Sequence, residues 1–106
     1  MLTGKNKRNF EKWIMKSMND TSYPSAYKSY IDWFYDLPIS MQFGVLQDYA
    51  DSIGYAINIQ VGTDYTMIFI NGDLVNKQGE WVGVTRDEAR RAAIKAFDEI
   101  VNRELK

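Results

Sequence analysis

Four side chains could grip a nucleic acid if the fold brings them together: Arg86 and Arg90 near the start of the last amphipathic segment, and Gln42 and Gln47 in the segment "SMQFGVLQDY". Arg86 and Arg90 lie four apart, which is one helical turn, so both guanidinium groups would stand on one face. Affinity for a polyanion grows with the number of such contacts and falls steeply with salt. A second candidate surface is aromatic. Six of the fifteen aromatic rings fall within "YPSAYKSYIDWFY", residues 23–35, and Tyr23, Trp33 and Tyr35 have the residue types that anchor protein interfaces. The same rings beside Lys28 could stack on unpaired bases, and Tyr27, Tyr30, Ile31 and Phe34 at helical spacing could equally be core.

Catalytic chemistry has little to work with. The 106 residues include no histidine and no cysteine, which removes imidazole general bases, thiolate nucleophiles and zinc-thiolate sites. Asp32 and Asp36 stand one turn apart, but two carboxylates fall short of the six or more oxygens a hard cation prefers. Asp48 and Asp51 are expected on a solvent face. Gly62, Gly72 and Gly79 fit turns and have no phosphate-loop spacing. The expectation is a protein that binds and does not catalyse, with no cofactor and no metal.

Thirteen basic and fourteen acidic residues leave a net charge of −1. The balance is uneven: six basic against four acidic over 1–39, and seven against ten over 40–106. No apolar run approaches the ~20 residues of a membrane span, and the early basic residues precede no apolar signal segment. A single domain in the cytoplasm is the expected setting, with a protein partner favoured, nucleic acid second and no membrane.

The elements that would position these residues follow from periodicity. Phe10, Trp13, Ile14 and Met18 predict a helix over 7–18 that ends near Asn19. A second helix is expected from about Pro24 to before Pro38. A third begins near Pro38 or Ser40, with Val45, Leu46, Tyr49, Ala50 and Ile53 on its inner face, and Gly54 as its left-handed cap. Tyr55 to Val61 alternates as a strand, "GTD" turns, and Tyr65 to Ile70 is a second strand. Asn71-Gly72 signals a tight hairpin into a third strand over about 73–84, broken or bulged at "NKQGE". Thr85 and Glu88 form a capping box for the last helix, with Ala89, Ala92, Ala93, Ala96, Phe97 and Ile100 inward. Arg91, Lys95, Asp87, Glu88, Asp98 and Glu99 fall on its outer arc, where pairs such as Asp87/Arg91 would form.

The expected fold class is α+β: an αβββα sandwich over 38–106, in which a three-stranded antiparallel meander carries two helices on one face. Two short helices over 1–37 precede it as an aromatic N-terminal extension. The run "INGDLVNKQGEWVGVTRDEARRAAIKAFDEIV" resembles the double-stranded RNA-binding domain, which shares this element order. By that resemblance Arg86 and Arg90 match phosphate-holding positions, Asp87 stands where the family's central basic residue belongs, and the "GTD" loop is shorter than the family's. RNA binding is the alternative function it implies. "FEKWIMKSM", "DLPISMQFGVLQDYADSIGYAINI" and "TRDEARRAAIKAFDEIVN" together are similar to small uncharacterised phage and prophage proteins. That similarity implies a phage accessory protein, with a host factor as the kind of partner it would modulate.

Overall fold

The computed structural model describes residues 1–17, 29–61, 66–75 and 85–105. Tyr23, and most of the expected third strand, lie outside them. Among the described residues there are four helices and one three-stranded antiparallel sheet, an α+β arrangement in the order helix, helix, helix, strand, strand, strand, helix. The helices are α1 (Gly4–Ser17), α2 (Tyr30–Tyr35), α3 (Ile39–Ser52) and α4 (Arg86–Glu104). The strands are β1 (Ile57–Val61), β2 (Thr66–Ile70) and β3 (Asp73–Leu74), in the spatial order β1-β2-β3.

Local signals place most of the boundaries. Thr85 is extended, its hydroxyl accepts from the Glu88 backbone N–H, and Glu88 reaches back to the Thr85 N–H, so the capping box starts α4 as expected. Gly54 takes φ +90 after α3, and two bonds close the end: Tyr55 N–H to Ala50 C=O and Gly54 N–H to Asp51 C=O. That pair is a Schellman cap. Asn71 and Gly72 both have positive φ, 54° and 85°, as a two-residue hairpin turn requires, and they set Ile70 opposite Asp73. The start of α2 is also set locally. Ser29 is extended and its Oγ accepts from the Asp32 N–H, so α2 begins at Tyr30, while the expected start near Pro24 lies outside the described residues.

Packing gives α4 two buried sides. It lies along β1 and β2 while α1 and α3 pack against it. The N-terminal residues are no appendage: Leu2, Phe10, Ile14, Tyr30 and Phe34 belong to the same hydrophobic cluster as Leu46, Tyr49, Ile57, Ile68, Ile94, Phe97 and Val101. Phe10 is the hub. Its ring meets Phe34 edge-on at 4.7 Å and Tyr49 at 5.3 Å, and Tyr49 in turn meets Phe97 at 6.2 Å.

Two expected faces need correction. On α3 the buried side chains are Ile39, Gln42, Phe43, Leu46, Tyr49 and Ala50, whereas Val45 is half-buried and Ile53 is exposed. The helix is rotated because it packs on α1 and α4 more than on the sheet. On α4, Asp98 was expected on the outer arc, yet it is 5% exposed. The cause is α1, which covers that side and supplies hydrogen-bond donors to the carboxylate. Asp87 also pairs with Arg90 at 2.8 Å rather than with Arg91.

Candidate functional site: a groove between a helix and an edge strand

The Schellman cap reverses the chain between α3 and β1, and Gln47 on α3 reaches the Ile57 carbonyl of the strand. Ser40, Phe43, Gly44 and Gln47 repeat at three- and four-residue steps along α3, so they share the face turned toward β1. Between this face and Asn58, Ile59 and Val61 lies an open groove of about 370 Å³. Arg86 and Arg90, from the first turns of α4, complete its lining. The C-terminal end of α4 sits by Tyr55, whose hydroxyl bonds Glu104, while Arg86 and Arg90 at its other end line the groove. Gln47 Nε2 donates to the Ile57 carbonyl at 2.9 Å.

The structure thus brings together Gln47, Arg86 and Arg90 from the sequence candidates. Gln42 is not among them. It is 8% exposed, and its amide donates to the Phe34 and Tyr35 carbonyls at the end of α2, at 3.1 and 3.3 Å. It ties α3 to α2 and presents nothing to a ligand. Of the aromatic anchors, Trp33 is half-buried against the core with its ring edge-on to Tyr30, and Tyr35 is 36% exposed with its ring against Phe34. The Tyr35 phenol is pushed up from its ordinary pKa by burial and by the Glu11 charge. Tyr23 lies outside the described residues.

The chain has no match among protein-family models, curated proteins or solved structures. The site therefore has to be read from its own chemistry. In the groove, Arg90 pairs with the exposed Asp87 carboxylate at 2.8 Å, and the Glu88 carboxylate is turned back onto Thr85 by the capping box. Arg86 is exposed and has no ion pair among the described residues. Ser40, Gln47, Asn58 and the two arginines make the lining more polar than apolar, with Ile59 and the 50% exposed Val61 as its apolar part. The arrangement has the chemistry to take an extended, largely polar ligand with a negative charge near Arg86.

Sequence reasoning missed Ser40, Gly44 and Asn58 as lining residues. Gly44 did leave a signal, since a glycine inside a helical pattern is unfavourable by about 1 kcal/mol relative to alanine and invites a reason. A buried polar network was also missed. Asp98 Oδ1 accepts from the Thr3 N–H, Asn6 Nδ2 and Asn102 Nδ2, each at 3.0 Å, and Oδ2 accepts from the Thr3 hydroxyl at 2.6 Å. Asn102 Oδ1 accepts from the Asn6 N–H, and Tyr49 donates to Asn6 Oδ1 at 2.8 Å. These bonds satisfy N–H groups at the start of α1 from side chains on α4, with an anion placed at the positive end of the α1 dipole. Gly4 fits the same junction: its φ is +55, and an added Cβ would stand 3.3 Å from Asn102 Oδ1.

The network makes stability depend on alkaline pH. Burial, and then the charge of Asp98, push the Tyr49 phenol from about 10 up to about 12. A folded-state pKa above the unfolded value favours the neutral phenol, so this contribution is complete below pH ~10 and is lost as pH rises through about 12. At about 1.4 kcal/mol per unit the loss is on the order of 2–3 kcal/mol. Urea midpoints measured from pH 8 to pH 12 should fall over the upper part of that range. Tyr49→Phe should start lower, for want of the bond to Asn6, and fall less.

Proposed function

We propose that this chain is a non-catalytic accessory protein of the phage or prophage type that acts by binding another protein, with a host factor as its partner class. The observation that supports it is the α3–β1 groove, a narrow and mostly polar cleft beside a strand edge in which one arginine, Arg86, has no ion pair among the described residues, a lining that suits a protein segment better than a duplex. A duplex is held by many phosphate contacts. The absence of histidine and cysteine from the chain fits a binding role. In this reading the groove takes precedence over the Trp33–Tyr35 surface, because Trp33 already packs part of its ring against the core.

One observation favours the second reading, a divergent RNA-binding module. The order α3-β1-β2-β3-α4 supports a sandwich of the double-stranded RNA-binding type, and Gln47, Arg86 and Arg90 face one groove in it. The two readings separate on the ligand bound and its salt dependence, and mutation separates the groove from the aromatic surface. Labelled duplex and single-stranded RNA, titrated at ~50 and ~200 mM salt, are expected to show no saturable binding, and steeply salt-dependent binding would instead establish the RNA reading. Capture of a host protein should survive Trp33→Ala and be lost in the double variant Arg86→Glu, Arg90→Glu. The reverse pattern would move the interface to the aromatic surface.

A further inference from the structure

β1 is an edge strand, and the direction of its free hydrogen-bonding groups can be read from three bonds. The Ala56 carbonyl accepts from the Asn71 N–H and the Ala56 N–H donates to Asn71 Oδ1, so residue 56 faces β2. The Ile57 carbonyl accepts from Gln47 on the opposite side. Backbone groups alternate along an antiparallel strand, so Ile59 and Val61 share the outward direction of Ile57, while Asn58 and Gln60 face Phe69 and Met67. Among the described residues no strand pairs with this edge. The Ile59 N–H and C=O and the Val61 N–H therefore point into the groove beside α3.

Gly44 supplies an independent observation. It sits in the middle of α3 on the face that lines the groove, in ordinary helical conformation, and an added Cβ would meet nothing within 4 Å. Neither positive φ nor close packing calls for glycine there, although it weakens the helix. What a glycine does at this point is keep the space between helix and strand open.

We propose that the β1 edge accepts an extended acidic segment of another protein as an added strand, lying in the groove between α3 and β1 with a carboxylate against Arg86. Main-chain bonds to Ile59 and Val61 supply affinity of the kind seen when peptides extend a sheet, and Arg86 supplies direction and charge selection. The occupant is acidic because Arg86, alone of the two groove arginines, has no ion pair among the described residues, Arg90 being held by Asp87. It is not a second β1, because "INIQV" carries no carboxylate. The proposal rests on the protein-binding reading above and states its mode.

The test uses the full chain, labelled with nitrogen-15, and a defined probe: a capped peptide of four Thr-Glu repeats, with its Thr-Lys counterpart and a version N-methylated at alternate residues. The Thr-Glu peptide should bind saturably and slow exchange of the Ile59 and Val61 amides at least tenfold, whereas the other two should not. Arg86→Gln should weaken binding roughly tenfold, as expected for loss of a charge-assisted bond. Gly44→Leu should raise the melting temperature, because leucine is the better helix former, and still reduce binding at least tenfold. That combination separates a blocked groove from a damaged fold. Unchanged binding by Gly44→Leu, absence of Thr-Glu binding at millimolar peptide, or shifts confined to other surfaces would overturn strand addition while leaving protein binding as a function. Slow exchange of Ile59 and Val61 in concentrated free protein would overturn it in favour of self-association. Salt-sensitive binding of duplex RNA in the same groove would overturn both readings.

Discussion

Asp98→Ala should be among the most damaging single substitutions in the described structure, lowering unfolding free energy by about 3–5 kcal/mol, because it strips the acceptor from several donors at once and each buried one left unsatisfied costs about 1–3 kcal/mol. The residue is a carboxylate with four donors around it, from Thr3, Asn6 and Asn102. Truncation leaves the Asn6 side-chain amide buried without its acceptor and the start of α1 without its anion. Against a typical total of about 5–15 kcal/mol the loss would bring the protein close to unfolding at 37 °C. Asp98→Asn should do less harm, since one acceptor oxygen survives, although an NH₂ then confronts donors. Urea denaturation of the three proteins measures this directly. A change under 1 kcal/mol for Asp98→Ala would mean that the network contributes little and that α1 is held by its apolar face alone.

Phe10→Ala should cost a comparable amount, about 3–5 kcal/mol, through lost burial and an incompletely collapsed cavity. The ring is 1% exposed and contacts the rings of Phe34, Tyr49 and Trp13, with centroids at 4.7, 5.3 and 6.1 Å. The outcome bears on organisation as well as stability. If α1 is integral, the variant unfolds in a single transition at lower urea, with the slope of the wild type. If residues 1–37 behave as a separable extension, the midpoint of the main transition stays in place and an early shoulder appears. The shared cluster of Leu2, Phe10, Ile14, Tyr30 and Phe34 with Tyr49 and Phe97 leads to the first result.

The two variants also bear on the groove indirectly. α3 is held against the rest of the molecule by Tyr49, which contacts Phe10 by its ring and Asn6 by its hydroxyl, so loosening α1 should loosen the helical wall of the groove. Peptide binding should therefore be measured below the temperature at which either variant begins to unfold.

The features legible in the sequence are those whose hydrogen bonds close within a few residues. Thr85 and Glu88 cap α4, Gly54 ends α3, and Asn71-Gly72 turns β2 into β3, because in each case the required φ, ψ or acceptor is available locally whatever the rest of the chain does. The class of the fold followed from the same short-range signals together with apolar periodicity. Periodicity alone assumes that a helix buries one side. α4 buries two, so periodicity puts Asp98 on a solvated face that α1 in fact covers, and residue type makes Gln42 a candidate ligand group although its amide is spent on the end of α2. Both contacts depend on how helices pack, and Thr3 and Asp98 are separated by 95 positions. The groove has the same origin. Arg86, Arg90 and Gln47 could be named from residue type, but only the return of the chain from α3 into β1, and the course of α4 across the sheet, decide that they face a free strand edge beside Gly44.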